Sequence, residues 1–291
     1  MMPLAALDAL RYLVAEDWTC PVADEVAAAW GTPPGAARWW RSSASHVFVL
    51  PDGHYLRFVP ESVRPLDAVR RTAELMNVLA GSVRVVRAIA SRRGELAERI
   101  PTALGPMCAM VVQAAPGTTI DIEDVTEEGA SAWGRALAGF HAAAAGIAWP
   151  AEQRFAVALP DGPDRFGLIH GDFELDNLAW EAGVPTAFDL DEATRSWYAA
   201  DVAYALRDAD GRPGIVAAFL AGYRSVRRFG AADEESLPVF RRLHAARSAD
   251  AVAALLAADS SPEDHPSLSD KLQRYVQAQR AIADGSVTAP D

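Results

Sequence analysis

Residues 168–191 read Leu168-Ile-His-Gly-Asp172-Phe-Glu-Leu-Asp-Asn177-Leu-Ala-Trp-Glu-Ala-Gly183-Val-Pro-Thr-Ala-Phe-Asp189-Leu-Asp191. The segment opens with a short apolar run that is typical of a buried strand and leads directly to a His-Gly-Asp triplet. Asn177 follows Asp172 by five residues, and a second strand-like run turns near Gly183 and returns to Asp189. The pattern predicts a strand, a loop and a hairpin that bring an Asp, an Asn and a second Asp together.

This order of side chains suits phosphoryl transfer. An Asp in the loop before the hairpin is placed to take the proton of an attacking hydroxyl. Asn177 and Asp189 each lie six residues from Gly183. If the hairpin is centred on Gly183, they face each other with Cβ atoms roughly 4.5–5.5 Å apart. Oxygen donors suit Mg²⁺, which takes its remaining ligands from water and phosphate.

The His-Gly-Asp triplet is weak evidence by itself, because turn chemistry explains it equally well. His170 follows a buried-looking strand, so we expect it to brace the loop rather than to exchange protons. Gly171 is expected to allow a tight backbone approach. The prediction of a kinase-type site therefore depends on the joint pattern from His170 to Asp191.

The composition fits an ordinary globular protein of one large domain or two lobes. The chain has 291 residues, is 51% hydrophobic and carries a net charge of −12. An acidic chain disfavours a general nucleic-acid binder, and no apolar run reaches the roughly 20 residues of a membrane span. Cys20 and Cys108 give neither a disulfide framework nor a zinc spacing. We expect a cytoplasmic protein without nucleic-acid or membrane partners, and the sequence leaves the oligomeric state open.

The order of elements predicts a strand-rich N-terminal lobe over residues 1–113, a hinge at 114–118 and a helical lobe at 119–291. Residues 1–30 have a helical pattern, and the strand-like runs fall at 46–50, 54–59 and within 82–113. Apolar residues at three- and four-residue spacing predict a helix after Pro65 and another through Trp133, Leu137 and Phe140.

The motif at 170–177 resembles that of the aminoglycoside phosphotransferase/choline kinase family. The segments Phe188–Ala193 and Trp197–Ala203 are similar to two further motifs of this family. The resemblance implies an α+β, two-lobed, protein-kinase-like fold, with a strand-rich N-lobe and a mainly helical C-lobe that carries a catalytic hairpin. It also implies ATP or GTP with Mg²⁺ as cofactors, and a small molecule with a hydroxyl group as the acceptor.

The resemblance assigns roles in the C-lobe residue by residue. Asp172 becomes the catalytic base, and Asn177 and Asp189 become metal ligands. Asp191 assists a second metal ion. His170 and Asp201 are expected to be structural supports of the catalytic loop.

A second set of roles concerns the nucleotide. Arg57 occupies the family's phosphate-contacting Lys/Arg position with Glu74 as its ion-pair partner, although a planar guanidinium differs from an ammonium point charge. Residues 41–46 occupy the phosphate-covering loop position without any glycine, so backbone N–H groups and serine hydroxyls would make the contacts. The residues expected to bind the nucleotide are Arg57, Glu74, Ser43, Ser45 and, at the hinge, Gln113 and Ala115.

The acceptor is poorly specified by the sequence. Glu174, Asp176 and Asp208 are candidates for an acidic pocket that receives an aminated substrate, but solvated loop carboxylates explain them equally well. We expect an ATP-dependent phosphotransferase acting on a hydroxyl of an aminoglycoside-like, amino-alcohol or hydroxy amino acid substrate. Two alternatives stay open: a catalytically weak nucleotide-binding scaffold or sensor, and a kinase with a protein Ser/Thr acceptor.

Overall fold

The computed structural model describes residues 2–155, 157, 159, 162–258 and 266–285. The chain divides into two compact units, Met1–Gly81 with Val86–Ala114 and Ser82–Val85 with Ala115–Asp291. The second unit therefore includes a short segment, 82–85, that lies within the sequence of the first. The lobe and hinge boundaries predicted at 113 and 118 stay a prediction.

The first unit opens with two helices instead of one continuous helical region. They are α1 (Leu4–Arg11) and α2 (Pro21–Ala27), and α2 continues as a 3-10 turn over Ala28–Trp30. The helical pattern predicted for residues 1–30 is therefore wrong between the helices. Trp18 there adopts a φ of 67°, which is incompatible with an α-helix. Pro21 begins α2 because its missing N–H costs nothing at a first helical position.

An antiparallel sheet forms the main part of the first unit. Its strand order is β1-β2-β3-β6-β4, and β5 also pairs with β6. The runs predicted at 46–50 and 54–59 are confirmed as β2 and β3, and the helix predicted after Pro65 is confirmed as α3. The elements are β1 (Arg38–Ser42), β2 (His46–Val49), β3 (Tyr55–Pro60), α3 (Leu66–Leu79), β4 (Ala88–Ile89), β5 (Glu98–Thr102) and β6 (Gly105–Val112).

The second unit is mainly helical and carries two small antiparallel sheets, in which β7 pairs with β10 and β8 with β9. No helix among the residues described above is both long and apolar enough to cross a membrane. The combination of a sheet unit and a helical unit confirms the predicted α+β fold class. The elements are α4 (Glu127–Ala143), β7 (Phe166–Ile169), β8 (Leu178–Glu181), β9 (Val184–Ala187), β10 (Thr194–Trp197), α5 (Tyr198–Ala205), α6 (Pro213–Arg224), α7 (Ala231–Glu235), α8 (Leu237–Ala258) and α9 (Pro266–Ala283).

Helices α4 and α6 approach each other so closely that their backbones touch. A Cβ atom on Gly134 would lie 2.0 Å from the carbonyl oxygen of Phe219, and one on Gly222 would lie 2.0 Å from that of Ser131. Any larger side chain at these positions would push the helices apart. The indole of Trp133 meets the Phe219 ring edge-on beside this contact, with centroids 5.0 Å apart. The contact fixes the spacing of two helices that carry side chains of the site described next.

Candidate active site

The β8–β9 hairpin turns through two residues. Glu181 pairs with Val184, and Ala182 and Gly183 between them have φ values of 50° and 76°. Two consecutive positive φ values match the turn type whose twist suits a two-residue hairpin. The hairpin is therefore centred between Ala182 and Gly183 and not on Gly183.

This centre shifts the register by one residue from the predicted one. Asn177 lies opposite Phe188, whose N–H donates to the Asn177 carbonyl at 3.0 Å, so the predicted direct opposition of Asn177 and Asp189 is wrong. Asp189 comes one residue later and adopts a left-handed conformation, with φ 62° and ψ 66°. That conformation ends the strand alternation and redirects the carboxylate. Left-handed non-glycine residues are uncommon and cluster at functional sites.

The hairpin is also held from the short segment 82–85. The N–H of Ala187 donates to the carbonyl oxygen of Arg84 at 2.9 Å, and Val85 forms a parallel β-bridge with Ala187. Ala187 lies two residues before Asp189. The position of the strand end that precedes Asp189 therefore depends on a piece of chain far away in sequence.

Asp172 and Asn177 are in direct contact. The Asn177 Nδ2 atom donates to the Asp172 Oδ2 atom at 2.8 Å and to the Asp172 backbone oxygen at 3.0 Å. The other carboxylate oxygen, Oδ1, is buried and has no donor at a short hydrogen-bond distance, although the Tyr204 phenol is near enough to act on this carboxylate as a donor. A buried acceptor without a close donor is costly, so this atom is suited to receive the O–H of a ligand.

The electrostatic surroundings of Asp172 are mixed. Burial is the largest influence and raises the pKa of Asp172 above its ordinary value. The nearby carboxylate of Asp189 raises it further, whereas His170, the phenol of Tyr204 and Arg207 act in the opposite direction. A carboxylate with a raised pKa holds a proton more readily than a surface Asp does, which is what a general base needs.

Asp201 anchors the backbone that leads to Asp172. Its Oδ2 atom accepts from the N–H of His170 and its Oδ1 atom accepts from the N–H of Gly171, both at 2.9 Å. His141 Nε2 also lies 2.9 Å from Oδ2. Burial alone raises the pKa of Asp201, but the hydrogen bond from His141 and those from the loop outweigh it, and the pKa lies below its ordinary value.

His170 joins the catalytic loop to the hairpin. Its Nδ1 atom accepts from the N–H of Asp172 at 3.3 Å, and its Nε2 atom lies 3.2 Å from the carbonyl oxygen of Phe188. These partners assign the proton to Nε2. The ring packs against Phe140 and Phe173, with centroids 5.5 and 5.3 Å away. With both nitrogens engaged in these contacts, a supporting role for His170 remains our prediction.

Gly171 and Gly183 provide a matched test of the loop. Both have positive φ, 82° and 76°. A Cβ atom on Gly171 would lie 2.3 Å from the carbonyl oxygen of Glu192, whereas one on Gly183 would meet nothing within 4 Å. Gly183→Ala should lower the free energy of unfolding by only about 1–2 kcal/mol, the cost of left-handed backbone. Gly171→Ala should cost more and also impair turnover. Denaturant unfolding and turnover assays check this, and equal losses in the two variants would refute the assigned close approach.

Three of the nucleotide-binding candidates in the first unit, Ser43, Ser45 and Arg57, lie within the stretch from β1 to β3. Arg57 on β3 is buried, and its Nε atom donates to the Ser45 hydroxyl at 3.4 Å. Ser43 lies in the turn between β1 and β2, and its carbonyl accepts from the N–H of Met2 at 2.9 Å. Glu74 is exposed on α3. The structure thus joins Arg57 to Ser45, and the nucleotide-binding roles stay predictions.

The two hinge candidates belong to different units. Gln113 follows β6, is exposed and donates its N–H to the carbonyl oxygen of Arg87 at 2.9 Å. Ala115 is the first residue of the long segment of the second unit. The contacts of Gln113 and Ala115 with adenine stay predictions.

The acceptor candidates include a feature that the sequence reasoning missed. Arg207 pairs with both Glu174 and Asp208, with 3.2 Å between Arg207 Nε and Asp208 Oδ2. Its guanidinium also lies 4.7 Å from the ring centroid of Tyr204. Two of the three predicted acidic residues therefore share one cation, while Asp176 is exposed. Tyr204 follows Asp201 by three residues on α5, so helical spacing places the two side chains on neighbouring positions of one face. This spacing could have indicated Tyr204 as a residue near the site.

The residues present fit a magnesium ion that is shared with phosphates. Within the described ranges, no group of three or more His, Cys, Asp or Glu side chains is arranged to hold a metal by itself. Mg²⁺ needs only one or two protein ligands when phosphates and waters supply the others. Because Asn177 uses its Nδ2 atom toward Asp172, its amide oxygen is turned away from that carboxylate. This oxygen, Asp189 and Asp191 in the 3-10 turn Leu190–Glu192 are the candidate ligands.

The sheet unit, the helical unit and the Asp–Asn hairpin define the protein-kinase-like fold class. Residues 146–237 match the model described as "Phosphotransferase enzyme family". The matched range contains the whole motif segment 168–191. This match confirms the resemblance to the aminoglycoside phosphotransferase family. No curated protein matches the chain.

Several solved structures share the fold. Amicoumacin kinase hAmiN in complex with AMP-PNP, Ca²⁺ and Ami is similar with a TM-score of 0.78 at 18% identity, covering 97% of both chains. A microcompartment-associated aminopropanol kinase has a TM-score of 0.70 at 21% identity, covering 90% of this chain and 96% of its own. The GDP and kanamycin complex of APH(2″)-IIia has a TM-score of 0.64 at 13% identity, covering 90% and 98%. These likenesses confirm the kinase-like fold.

Proposed function

We propose that this protein transfers the γ-phosphoryl group of ATP to a hydroxyl group of a small molecule. The observation that carries the proposal is the state of Asp172. Its Oδ2 atom is held by Asn177 at 2.8 Å, while its buried Oδ1 atom has no donor at a short hydrogen-bond distance and the Tyr204 phenol stands near the carboxylate. An acceptor O–H would supply a close donor to Oδ1, and this places the acceptor oxygen beside a base. The family match over residues 146–237 supports the same reaction.

The chemistry follows from this arrangement. Asp172 receives the proton of the acceptor hydroxyl as the acceptor oxygen forms its bond to the γ-phosphorus. The bond between that phosphorus and the oxygen bridging to the β-phosphate breaks, and ADP leaves with the electron pair. Mg²⁺, when bound, neutralises charge on the phosphates. Asn177 and Asp189 would hold it, Asp191 would assist a second ion, and His170 and Asp201 keep the loop in place.

The acceptor class rests on charge. Glu174, Asp176 and Asp208 place three carboxylates in the segments that follow Asp172, and Arg207 is the counter-charge for two of them. The three negative charges exceed the single positive charge of Arg207 by two, which favours an acceptor that bears an amine, such as an aminoglycoside-like compound, an amino alcohol or a hydroxy amino acid. The similar amicoumacin and aminopropanol kinases have names that agree with this class. ATP is the proposed phosphoryl donor, with GTP as the alternative. The proposed location of the protein is the cytoplasm.

The test is a consumption assay with ATP and with GTP against panels of aminoglycosides, amino alcohols, hydroxy amino acids, sugars and nucleosides. We expect nucleotide consumption that depends on an aminated alcohol, and a phosphorylated product detected by mass spectrometry. Nucleotide binding without transfer to any panel member would favour the scaffold or sensor. Label recovered in protein instead of small molecules would favour a protein acceptor.

The metal assignment predicts the behaviour of Asp189→Asn. This change keeps the size of the side chain but removes its charge, so Mg²⁺-dependent nucleotide affinity should fall roughly tenfold or more. Titration of a fluorescent nucleotide at several Mg²⁺ concentrations measures the effect. Asp250→Asn, on an exposed position of α8, is the matched control. The same Mg²⁺ dependence in parent and Asp189→Asn would overturn the assignment.

A further inference from the structure

We infer that Tyr223 is a positioning residue, which acts through His141 and Asp201 on the backbone that carries Asp172. The inference rests on the proposed function for its kinetic consequence. It concerns a hydrogen-bond chain that begins on α6, far in sequence from the catalytic loop, and ends at the N–H groups of His170 and Gly171. No local motif marks Tyr223 or His141.

The chain of hydrogen bonds is continuous and buried. The Tyr223 hydroxyl lies 2.8 Å from His141 Nδ1, and His141 Nε2 lies 2.9 Å from Asp201 Oδ2. Tyr223, His141 and Asp201 are all at 0% exposure. Asp201 then accepts the N–H groups of His170 and Gly171, each at 2.9 Å. No water is needed to complete the path from the phenol to the loop.

The direction of each bond follows from the chemistry of its ends. A carboxylate only accepts, so His141 must carry its proton on Nε2 and donate it to Asp201. His141 Nδ1 is then an acceptor, and the Tyr223 O–H donates to it. Burial lowers the pKa of His141 and raises the pKa of Tyr223, so a neutral imidazole and an intact phenol agree with this order. Only one arrangement of protons satisfies all the atoms.

Helix packing sets the reach of the phenol. Gly134 and His141 are seven residues apart on α4, so they share a face of the helix. A Cβ atom on Gly134 would lie 2.9 Å from the Tyr223 nitrogen. The backbone contact between α4 and α6 therefore brings Tyr223 within hydrogen-bond distance of His141. The hydroxyl is the only polar group that the Tyr223 side chain contributes to this path of hydrogen bonds.

Loss of the Tyr223 hydroxyl should weaken every hydrogen bond in the path from Tyr223 to the catalytic loop. In Tyr223→Phe the Nδ1 atom of His141 would be buried without a donor, which is unfavourable. The imidazole is free to shift only by weakening its bond to Asp201, and Asp201 then holds the two loop N–H groups less firmly. A small displacement of a base is enough to slow a reaction that depends on its placement. The nucleotide and acceptor contacts are unchanged, so the effect belongs to turnover and not to binding.

Tyr223→Phe and Tyr198→Phe form the matched pair for the test. The Tyr198 ring lies 4.5 Å from the same imidazole, centroid to centroid, but both nitrogens of His141 are already used by Tyr223 and Asp201. We expect kcat to fall about tenfold in Tyr223→Phe with KM values within about twofold, and Tyr198→Phe to stay within about twofold of the parent. Equal effects of the two variants, or a change in KM alone, would overturn the inference.

A second measurement does not need an active enzyme. Hydrogen exchange at the His170 and Gly171 amides should become about tenfold faster in Tyr223→Phe and stay unchanged in Tyr198→Phe. If the parent transfers phosphate to no acceptor, the proposed function fails while this exchange still decides the inference. Unchanged exchange at both amides in Tyr223→Phe would refute it.

His141 variants guard against a Tyr223→Phe protein that fails to fold. A Gln side chain carries one donor and one acceptor group, so His141→Gln can bridge Asp201 and Tyr223, whereas His141→Leu cannot. We expect the Gln variant to recover slow amide exchange and a large part of kcat relative to the Leu variant. Equal exchange rates and equal kcat in the two variants would show packing alone, and would contradict the inference.

Discussion

Asp172→Asn is expected to lower turnover by about 10²–10⁴-fold, the range that a positioned proton acceptor contributes. The amide keeps the shape of the side chain, and its oxygen can still accept from Asn177 Nδ2, so the loop should stay in place. What is lost is an atom able to take the proton of the acceptor hydroxyl. Steady-state kinetics with the acceptor identified in the panel assay, and nucleotide binding by calorimetry, measure the two sides of this prediction.

The controls for Asp172→Asn separate chemistry from folding. Nucleotide affinity should stay within about twofold of the parent, because Asp172 is not among the expected metal or nucleotide ligands. Asp250→Asn, on the exposed face of α8, should leave turnover unchanged. Full turnover in Asp172→Asn would remove the base from the mechanism and with it the main support for the proposed function.

Asp201→Asn is expected to have the largest effect on stability. The buried carboxylate accepts from two backbone N–H groups and from His141. An Asn keeps one acceptor oxygen and turns an NH₂ group toward donors that then lose their partner. Disruption of a buried charged network costs about 3–5 kcal/mol, which corresponds to a Tm lower by on the order of 10 °C. Thermal unfolding followed by circular dichroism measures the shift.

The effect of Asp201→Asn should depend on pH with a defined sign. Folding lowers the pKa of Asp201, so its stabilisation is fully present above the unfolded-state pKa and is lost as pH falls through the folded-state pKa. The difference in Tm between parent and variant should therefore be constant near neutral pH and shrink in acid, below about pH 4. Asp250→Asn on the exposed face of α8 is the control, and its Tm at pH 7 should equal that of the parent. A Tm equal to that of the parent at pH 7 would contradict the anchoring role of Asp201.

The β8–β9 hairpin shows which features could be predicted from the sequence and which could not. Spacing identified the strand, the loop and the two runs around Gly183, because each is a local pattern. The register was wrong by one residue, because the turn uses Ala182 at a φ of 50°. Ala-Gly is not one of the dipeptides that announce a two-residue turn, as Asn-Gly does. The surrounding fold, not the local preference of Ala182, imposes this conformation.

The supports of the site were predictable only in part. Asp201 was expected from a motif close to the hairpin. His141 and Tyr223 stand 60 and 82 residues from their hydrogen-bond partners along the chain, and no periodicity connects them. The helix containing His141 was predicted from its apolar stripe, which concerns packing and carries no information about a polar contact on α6.

Prediction of the residues that bind the acceptor was limited by a different factor. Glu174 and Asp208 are recognisable in the sequence as acidic candidates, but both form ion pairs with Arg207 in the folded protein. Arg207 lies on the turn after α5, and a sequence does not state which carboxylate a flexible cation will meet. Net local charge, which decides the class of acceptor, is a property of the folded chain.

The assignment of residues 82–85 to the second unit has a consequence for dissection of the protein. A fragment that begins at Ala115 contains all of the catalytic hairpin but lacks Arg84, whose carbonyl binds the N–H of Ala187 at 2.9 Å. A fragment of residues 1–114 carries Val85 without its bridge partner Ala187. Neither unit can thus be cut out as one continuous stretch of chain. Separate expression would require residues 82–85 to be grafted onto the helical fragment, ahead of Ala115, by a designed linker.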